Sequence, residues 1–443
     1  MEAQATGGVT AEEEDSVPAE APDAASAAAP ERKLLVIDTT NTFELIKARG
    51  TEDSVTCRDL DGYFAHVWSV HPVATLTTSE DWTPRFGPPV EYRLNERHVF
   101  IEGKAGRFPA LRRFFLLNFL IAQAGMFLAL HRLIRRERIS VIRAGDPLYT
   151  GLFAWALARL AGIPVVVRVG ANHDKVYETT GELIMPRLFR RRRFEKIAER
   201  FVFKHADLVA AANRDNLEFA LANGARRERA TIFAYGNLID RRHFTDPDER
   251  HVDPALVREL GLEPGRFLML ISRLIPSKYP EDAVRVLARL RERGHDLKVL
   301  IVGEGPDQPS LQALADRLGI GERLVFAGNR HQEWLARVIP NAAAIVSPIT
   351  GRSLAEAALG AAPIAAYDVD WQSDLIETGV TGELVPLRAW EAMAASVERF
   401  LAAPDYARRM GRAVRERALA MLDRRQLDEH ERRQYSELIG PGR

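Results

Sequence analysis

The chain has 443 residues, which is long enough for two or three ordinary domains and excludes a single small fold. Its 61 Lys and Arg residues balance 61 Asp and Glu residues, so no overall field would attract nucleic acid or another anionic polymer. The one cysteine, Cys57, excludes an intramolecular disulfide framework and a cysteine-based zinc site, as is typical of a reducing, cytoplasmic compartment.

Two segments of the first third have unusual compositions. Residues 1–31 are rich in Ala, Pro and acids and lack the apolar core of a secretory signal, so they are predicted to form a disordered acidic tail. Residues 114–130 carry no charge over a length near the lower limit of a membrane span. Because arginines flank this stretch on both sides and strand-like segments precede and follow it, the pattern favours a helix buried in a large core over a membrane-inserted helix.

Short β-branched runs alternate with helical patterns from residue 33 onward, which predicts an α/β fold with parallel sheets. The strands expected in the first half lie at 33–38, 63–70, 98–103, 141–145, 164–170, 207–212 and 230–236. After a polar linker at 246–254, a second series is expected at 266–274, 297–305, 323–328, 342–348, 363–369 and 382–386. We therefore expect two doubly wound domains facing a cleft, at 32–245 and 255–420, and a C-terminal helix within 421–443 that packs back on the first domain.

The segment 186–207 joins four consecutive arginines, at 190–193, to an apolar stripe with helical spacing. The stripe alone favours a core-facing helix side with a solvated basic face. The excess of arginines indicates peripheral contact with an anionic membrane or a phosphate-bearing acceptor.

Polar residues follow several strands at their carboxyl ends, where ligands of doubly wound sheets bind. Arg273 and Lys278 follow the first strand of the second half, and two converging cations suit a diphosphate; two solvated surface residues are the alternative. Gly303 and Gly305 follow the next strand and allow a ligand to approach the backbone closely. Neither GxxxxGK[ST] nor GxGxxG occurs, which disfavours ATP hydrolysis and ordinary dinucleotide binding.

One carboxylate, Glu356, is embedded in an apolar helical run three residues after Ser353. This spacing is that of a capping box, in which the Glu side chain bonds to the helix N-terminus, and the local sequence favours that structural role. The alternative is a carboxylate that accepts hydrogen bonds from sugar hydroxyls beside an anion-binding helix N-terminus.

Five segments in order resemble the donor domain of the family-four retaining glycosyltransferases, also called glycosyl transferases group 1, which have the GT-B fold. They are SRLIPSK, VGEGP, LVFAGN, SPITGRSLAEAALGAAPIAAYD and ETGVTGELV. The resemblance implies transfer of a sugar from a nucleotide-sugar donor to a glycan or lipid-linked acceptor, with retention of anomeric configuration and without a metal or cofactor. The alternatives are an inactive donor-binding or assembly subunit and a sugar-nucleotide epimerase.

The same resemblance implies roles for individual residues. Arg273 and Lys278 would hold the diphosphate and stabilise the leaving group, as electrostatic catalysts. Glu356 would accept hydrogen bonds from the ribose hydroxyls, and His173, after the strand at 164–170, would be a further catalytic residue. The remaining donor-binding residues, some near the diphosphate or sugar and others near the base, would be Gly351, Arg352, Ser353, Gly303, Gly305 and Asn329.

One departure from the family pattern and one competing motif affect this interpretation. The first Glu of the E-x7-E motif has no counterpart, and Thr350 stands near its position, which motivates the inactive alternative. Asp368 and Asp370 have the DxD form with which the other large glycosyltransferase fold binds a cation. The GT-B pattern disfavours that interpretation, and no metal site is expected.

Overall fold

The computed structural model describes residues 31–74, 84–234, 239–249 and 254–440. The predicted acidic tail, apart from its last residue, lies outside these ranges. The end of the strand predicted at 230–236 and part of the linker predicted at 246–254 also lie outside them.

The first half forms an eight-stranded sheet in the order β3-β4-β2-β1-β5-β6-β7-β8. Strand β3 pairs antiparallel with β4, and the other neighbours pair parallel. We did not predict β3, because its sequence VEYR is a mostly exposed edge without an apolar run. The strands are β1 Lys33–Ile37, β2 His66–His71, β3 Val90–Arg93, β4 His98–Glu102, β5 Val141–Ala144, β6 Val165–Val169, β7 Leu208–Ala211 and β8 Ala230–Ile232.

The second half forms a six-stranded parallel sheet in the order β11-β10-β9-β12-β13-β14. Met269 and Ile271 of β9 pack into one apolar cluster, whereas Leu268 and Leu270 pack into another, as the two-residue period of a strand covered on both faces requires. The predicted α/β fold with two doubly wound sheets is confirmed. The strands are β9 Phe267–Ile271, β10 Lys298–Val302, β11 Leu324–Gly328, β12 Ala344–Ser347, β13 Ile364–Tyr367 and β14 Glu383–Val385.

Helices connect most of the parallel strands and cover the faces of the sheets. Those of the first half are α1 Phe43–Arg49, α2 Asp53–Thr56, α3 Phe115–Glu137, α4 Tyr149–Ala161, α5 His173–Thr180, α6 Pro186–Phe189, α7 Arg192–His205 and α8 Arg214–Ala222. Those of the second half are α9 Ala255–Arg258, α10 Pro280–Glu292, α11 Gln308–Arg317, α12 Gln332–Val338, α13 Arg352–Leu359, α14 Gln372–Leu375, α15 Trp390–Ala402, α16 Pro404–Met421 and α17 Arg424–Ile439.

The last helix, α17, lies against the first sheet. Tyr435 and Ile439 are buried in the same cluster as Leu34 and Val36 of β1. The ring of Tyr435 meets the ring of Phe64 edge-on, with centroids 5.1 Å apart. The end of the described chain therefore covers one face of the first sheet.

The prediction that residues 114–130 form a helix buried on all sides is wrong. Helix α3 packs one face, including Phe119, Met126 and Leu130, into the core. The opposite face is exposed, and Leu116 keeps 71% of its surface accessible. By length and composition alone the helical stretch Pro109–Glu137 could cross a membrane, and 28% of its most apolar window is buried. The charge-free sequence had concealed this division because both faces are apolar.

Candidate active site

A cavity of about 1430 Å³ lies between loops of the two halves. Residues 170–192, which follow β6, line one side. Loops that follow β9, β12 and β13 line the other side. Strands β9 and β12 are neighbours in the sheet, and the strand order reverses between them. The crevice beyond such a reversal is where doubly wound sheets bind ligands.

Two cations from the second half point at this cavity. Arg273 follows β9 and reaches the solvent of the cleft, and Lys278 ends the short turn Pro276–Lys278. Burial, and to a smaller extent the charge of Arg273, lower the pKa of Lys278 to about 8, and the charge of Asp370 opposes this shift. Partial desolvation in the cleft, and then the charge of Arg49, also lower the pKa of Arg273, although part of its surface stays exposed. Mutually repelling, partly desolvated cations in a cleft are typical of a site built for an anion.

A third cation, Arg49, comes from the first half and was missed by sequence reasoning. Burial and the charge of Arg352 lower the pKa of Arg49, and the charge of Arg49 in turn helps burial to lower the pKa of Arg273. The Nε of Arg49 is buried without a hydrogen-bond partner among the described residues. The next residue, Gly50, has φ of 57°, and a Cβ there would lie 1.8 Å from the ring of His331. The two halves of the chain are therefore in contact at Gly50. No sequence motif at the end of the short helix α1 indicates this contact.

We expect Arg49→Ala to weaken the affinity for a nucleoside diphosphate by about 10- to 100-fold, because a hydrogen bond to a charged group contributes about 1.5–3 kcal/mol. Thermal stability without ligand should stay equal or rise, since repulsion with Arg273 is removed. Isothermal titration with UDP and GDP measures the affinity. Arg159→Ala, at an exposed position of α4, is the matched control. An unchanged affinity for both nucleotides in Arg49→Ala would exclude Arg49 from the site.

The helix that carries Glu356 does not form the capping box favoured by its local sequence. Helix α13 begins at Arg352, and its N-cap is Gly351 with φ of 65°, so Ser353 lies inside the helix. The Ser353 hydroxyl donates to the backbone carbonyls of Ile271, at 2.7 Å, and Thr350, at 2.8 Å. Glu356 is 3% exposed, and its Oε1 lies 3.4 Å from Nε of Arg352. Its carboxylate is therefore not used as a cap.

The glycines of VGEGP have a clear packing reason. A Cβ on Gly303 would lie 1.9 Å from the carbonyl oxygen of Ser272, and one on Gly305 would lie 2.1 Å from that of Leu274. The loop after β10 thus packs directly on the backbone that carries Arg273. Between the two glycines, Glu304 accepts a hydrogen bond from Nδ2 of Asn329 at 2.7 Å, which ties the loops after β10 and β11 together. Close backbone approach to a ligand stays a prediction.

On the opposite side of the cavity, His173 begins α5 and is only 4% exposed. Its Nδ1 lies 2.8 Å from Oε1 of Glu199, and the same oxygen accepts a hydrogen bond from Arg192 at 2.7 Å. Burial would raise the pKa of Glu199, but the bonds from His173 and Arg192 outweigh it and lower that pKa. Sequence reasoning missed this network, because Arg192 belongs to an arginine run that looked solvated.

The DxD segment lies at the cavity, and one of its acids bridges the two halves. Asp370 accepts a hydrogen bond from Nδ2 of Asn213 at 3.1 Å, and Asp368 lines the cavity. Burial raises the pKa of Asp370, although Lys278 opposes the shift. Within the described ranges there is no group of three or more His, Cys, Asp or Glu side chains that could hold a metal ion.

Two doubly wound sheets around one cationic cleft define the class of this protein as GT-B. Residues 254–417 match the family described as Glycosyl transferases group 1, and residues 61–236 match a Glycosyl transferase 4-like domain. The chain belongs to the glycosyl transferases group 1 family, as the ordered motifs of its second half predicted.

Two relatives illustrate the similarity. The chain is 28% identical over 266 residues to the alpha-D-kanosaminyltransferase of Streptomyces kanamyceticus. The matched region covers 58% of this chain and 66% of that protein. It is 31% identical over 277 residues to the GDP-mannose-dependent alpha-(1-6)-phosphatidylinositol monomannoside mannosyltransferase of Mycolicibacterium smegmatis, which covers 59% of this chain and 68% of that protein. The matches thus span about two thirds of each relative.

Solved structures share the fold over nearly the whole chain. The HepE protein of Anabaena, in complex with UDP and glucose, superposes with a TM-score of 0.69 at 16% identity, covering 92% of this chain and 100% of that one. The sucrose-phosphate synthase of Thermosynechococcus elongatus gives a TM-score of 0.70 at 18% identity, covering 92% and 99%. At these identities the likeness shows the GT-B fold alone.

Proposed function

We propose that this chain transfers a hexose or hexosamine from a nucleotide-sugar donor to a glycan or lipid-linked acceptor, with retention of anomeric configuration, in the cytoplasm. The observation that carries the proposal is the convergence of Arg273 and Lys278 on the cavity at the β9–β12 reversal. The names of the relatives, which include a kanosaminyltransferase and a GDP-mannose-dependent mannosyltransferase, support a sugar-nucleotide donor.

The proposed chemistry follows from where charge develops. When the bond from the anomeric carbon to the diphosphate oxygen breaks, its electron pair leaves with the nucleoside diphosphate. Arg273, Lys278 and Arg49 would stabilise that charge, and such fixed groups are most effective where water is excluded. The acceptor hydroxyl forms the new bond to the anomeric carbon on the face from which the diphosphate leaves, and its proton passes to an oxygen of the departing diphosphate. Because the three side chains supply positive charge, we propose that transfer needs no metal.

The other predicted residues divide between the donor and the opposite wall. We propose that Glu356 accepts hydrogen bonds from the ribose and that Gly351 and Arg352, at the start of α13, lie at the diphosphate. His173, whose Nδ1 is held by Glu199, has Nε2 as its other ring nitrogen, and we propose that this atom contacts the donor sugar or acceptor. Residues 186–207 would bring the cleft to an anionic membrane that carries a lipid-linked acceptor.

A donor screen tests the proposal. The protein is heated with a panel of UDP-, GDP-, dTDP- and ADP-sugars, and each stabilising donor is then assayed for release of nucleoside diphosphate with and without EDTA. We expect one donor or a small group to stabilise the fold and to be turned over in EDTA. Proton NMR of the product, through the coupling of the anomeric proton, should show the configuration of the donor.

A different result would contradict each part of the proposal. Binding without turnover across varied acceptors would favour the inactive subunit. An inverted product would exclude retention, and loss of turnover in EDTA would exclude metal independence. If no nucleotide sugar stabilised the protein, the proposed donor class would be wrong.

A further inference from the structure

The outer side of α3 presents large apolar side chains to solvent. Leu116, Leu117, Leu120 and Leu128 are each more than half exposed. The inner side of the same helix buries Phe119, so this surface is additional to the one that the core needs. Soluble proteins seldom expose contiguous apolar patches of this kind without a partner.

The apolar surface continues from α3 onto α4 and α7, which lie in the same layer of the fold. Helix α3 packs on α4, and α4 packs on α7, over one face of the first sheet. Leu160 of α4 is 58% exposed, and Phe194 and Ile197 of α7 are also exposed. Of the stripe predicted on α7, Ala198 and Val202 are buried, so that helix divides its apolar residues between core and surface. We call the exposed set the apolar face: Leu116, Leu117, Leu120, Leu128, Leu160, Phe194 and Ile197.

Arginines border this apolar face. Arg112 and Arg113 precede α3, and Arg190 and Arg191 precede α7; all four are exposed and form no ion pair with a described residue. Leu188 of α6 packs with Phe115 and Phe119 of α3, which places the arginine run beside the start of that helix. Arg190 and Arg191 also line the cavity. The border therefore extends to the mouth of the cleft.

We propose that the apolar face and its arginine border dock on the surface of an anionic lipid bilayer. Leu and Phe side chains would enter the boundary between headgroups and acyl chains, and the arginines would pair with lipid phosphates. The inference extends the contact proposed above for 186–207 and rests in part on it. It adds α3 as the main apolar element and orients the cleft mouth toward the lipid.

Two other arrangements fit the same observations less well. A span across the bilayer is incompatible with the fold, because β4 and β5, on either side of α3, belong to one sheet. A second copy meeting this one through the same face would bring the arginine borders of both copies together, and like charges repel. An anionic bilayer offers an apolar boundary to the exposed Leu and Phe side chains and phosphates to the arginines.

The test uses flotation of the full chain with vesicles of phosphatidylcholine alone or with 30% phosphatidylglycerol, in about 50 and about 500 mM NaCl, where screening differs strongly. We expect binding to the anionic vesicles at low salt, and most of it should be lost at high salt. L116Q/L120Q should weaken the partition coefficient by at least about tenfold, and R112Q/R113Q should weaken it at low salt. The matched controls, L318Q/V380Q and R226Q/R227Q, change exposed residues elsewhere and should bind as the unaltered protein does.

Three results would overturn the inference: no binding to anionic vesicles at low salt, equal binding by L116Q/L120Q, or an unaltered protein that sediments as a dimer which L116Q/L120Q converts to a monomer. The dimer result would make the face an interface between copies. Vesicle binding is measured without donor, so missing transfer activity would count against the proposed function alone. A melting temperature of L116Q/L120Q close to that of the unaltered protein verifies that its fold is intact.

Discussion

Replacing Lys278 with alanine should lower the rate of nucleoside diphosphate release at least about 100-fold while leaving thermal stability at pH 7 equal or higher. Loss of one fixed group that stabilises developing charge typically costs this much in rate. The stability expectation follows from burial, which lowers the pKa of Lys278 from 10.5 to about 8. The folded protein therefore holds a charged ammonium at a cost below pH 8, and this cost diminishes as the pH rises from 8 to 10.5. The rate of nucleoside diphosphate release and the melting temperature, measured for the unaltered protein and for Lys278→Ala, test the two expectations.

The lowered pKa of Lys278 also predicts how the affinity for a nucleoside diphosphate depends on pH. Affinity of the unaltered protein for a nucleoside diphosphate should fall as the pH rises above about 8, because the lysine loses its charge before the ligand binds. Lys278→Arg keeps its charge and is the matched control, with a flat affinity over the same range. Equal losses of activity and stability in Lys278→Ala would mean that Lys278 is structural.

Replacing Glu199 with alanine should destabilise the fold by about 3–5 kcal/mol, the usual cost of removing one partner from a buried ion pair. The carboxylate is fully buried and accepts bonds from His173 and Arg192. Its pKa is lowered in the folded state, so its stabilising contribution is present above the ordinary value of 4.5 and is lost as the pH falls below it. Urea unfolding at pH 7 and at pH 4 measures both effects, and the difference between the proteins should shrink at pH 4.

A positioning role for Glu199 predicts more than a loss of stability. Glu199→Gln keeps the shape of the side chain and can still bond to His173, so it should retain more stability than Glu199→Ala but should lower kcat more than it raises KM. Glu228→Gln, at an exposed position, is the control. If kcat in Glu199→Gln equals that of the control, the network is structural and does not orient His173 for the reaction.

Much of the fold could be predicted from alternation along the chain. The apolar runs at 266–274 and 297–305 contain β9 and β10, since strands covered on both faces consist of continuous apolar residues. The edge strand β3 was missed for the same reason, because exposure on both sides removes the apolar signal. The ordered motifs after these strands also led to Arg273 and Lys278, which do line one cavity.

The site depended more on contacts between distant segments. The charge of Arg49, in the first half, lowers the pKa of Arg273 in the second. Glu199 holds His173 from a helix that begins nineteen positions further along the chain. Local sequence even misled at Glu356, because the Ser353 hydroxyl bonds to Ile271 of β9, eighty-two residues earlier, and does not cap its own helix.

The sequence by itself determined the alternating architecture, the family and the cations at the carboxyl ends of the second sheet. Both the apolar periodicity and the order of the motifs can be read from the sequence directly. Only the tertiary structure decided which side of α3 is covered, which of the four arginines is internal and which cation of the first half acts on those of the second. Those choices depend on how the sheets, helices and loops meet, and an apolar or charged residue has the same letter in the sequence whether or not a partner covers it.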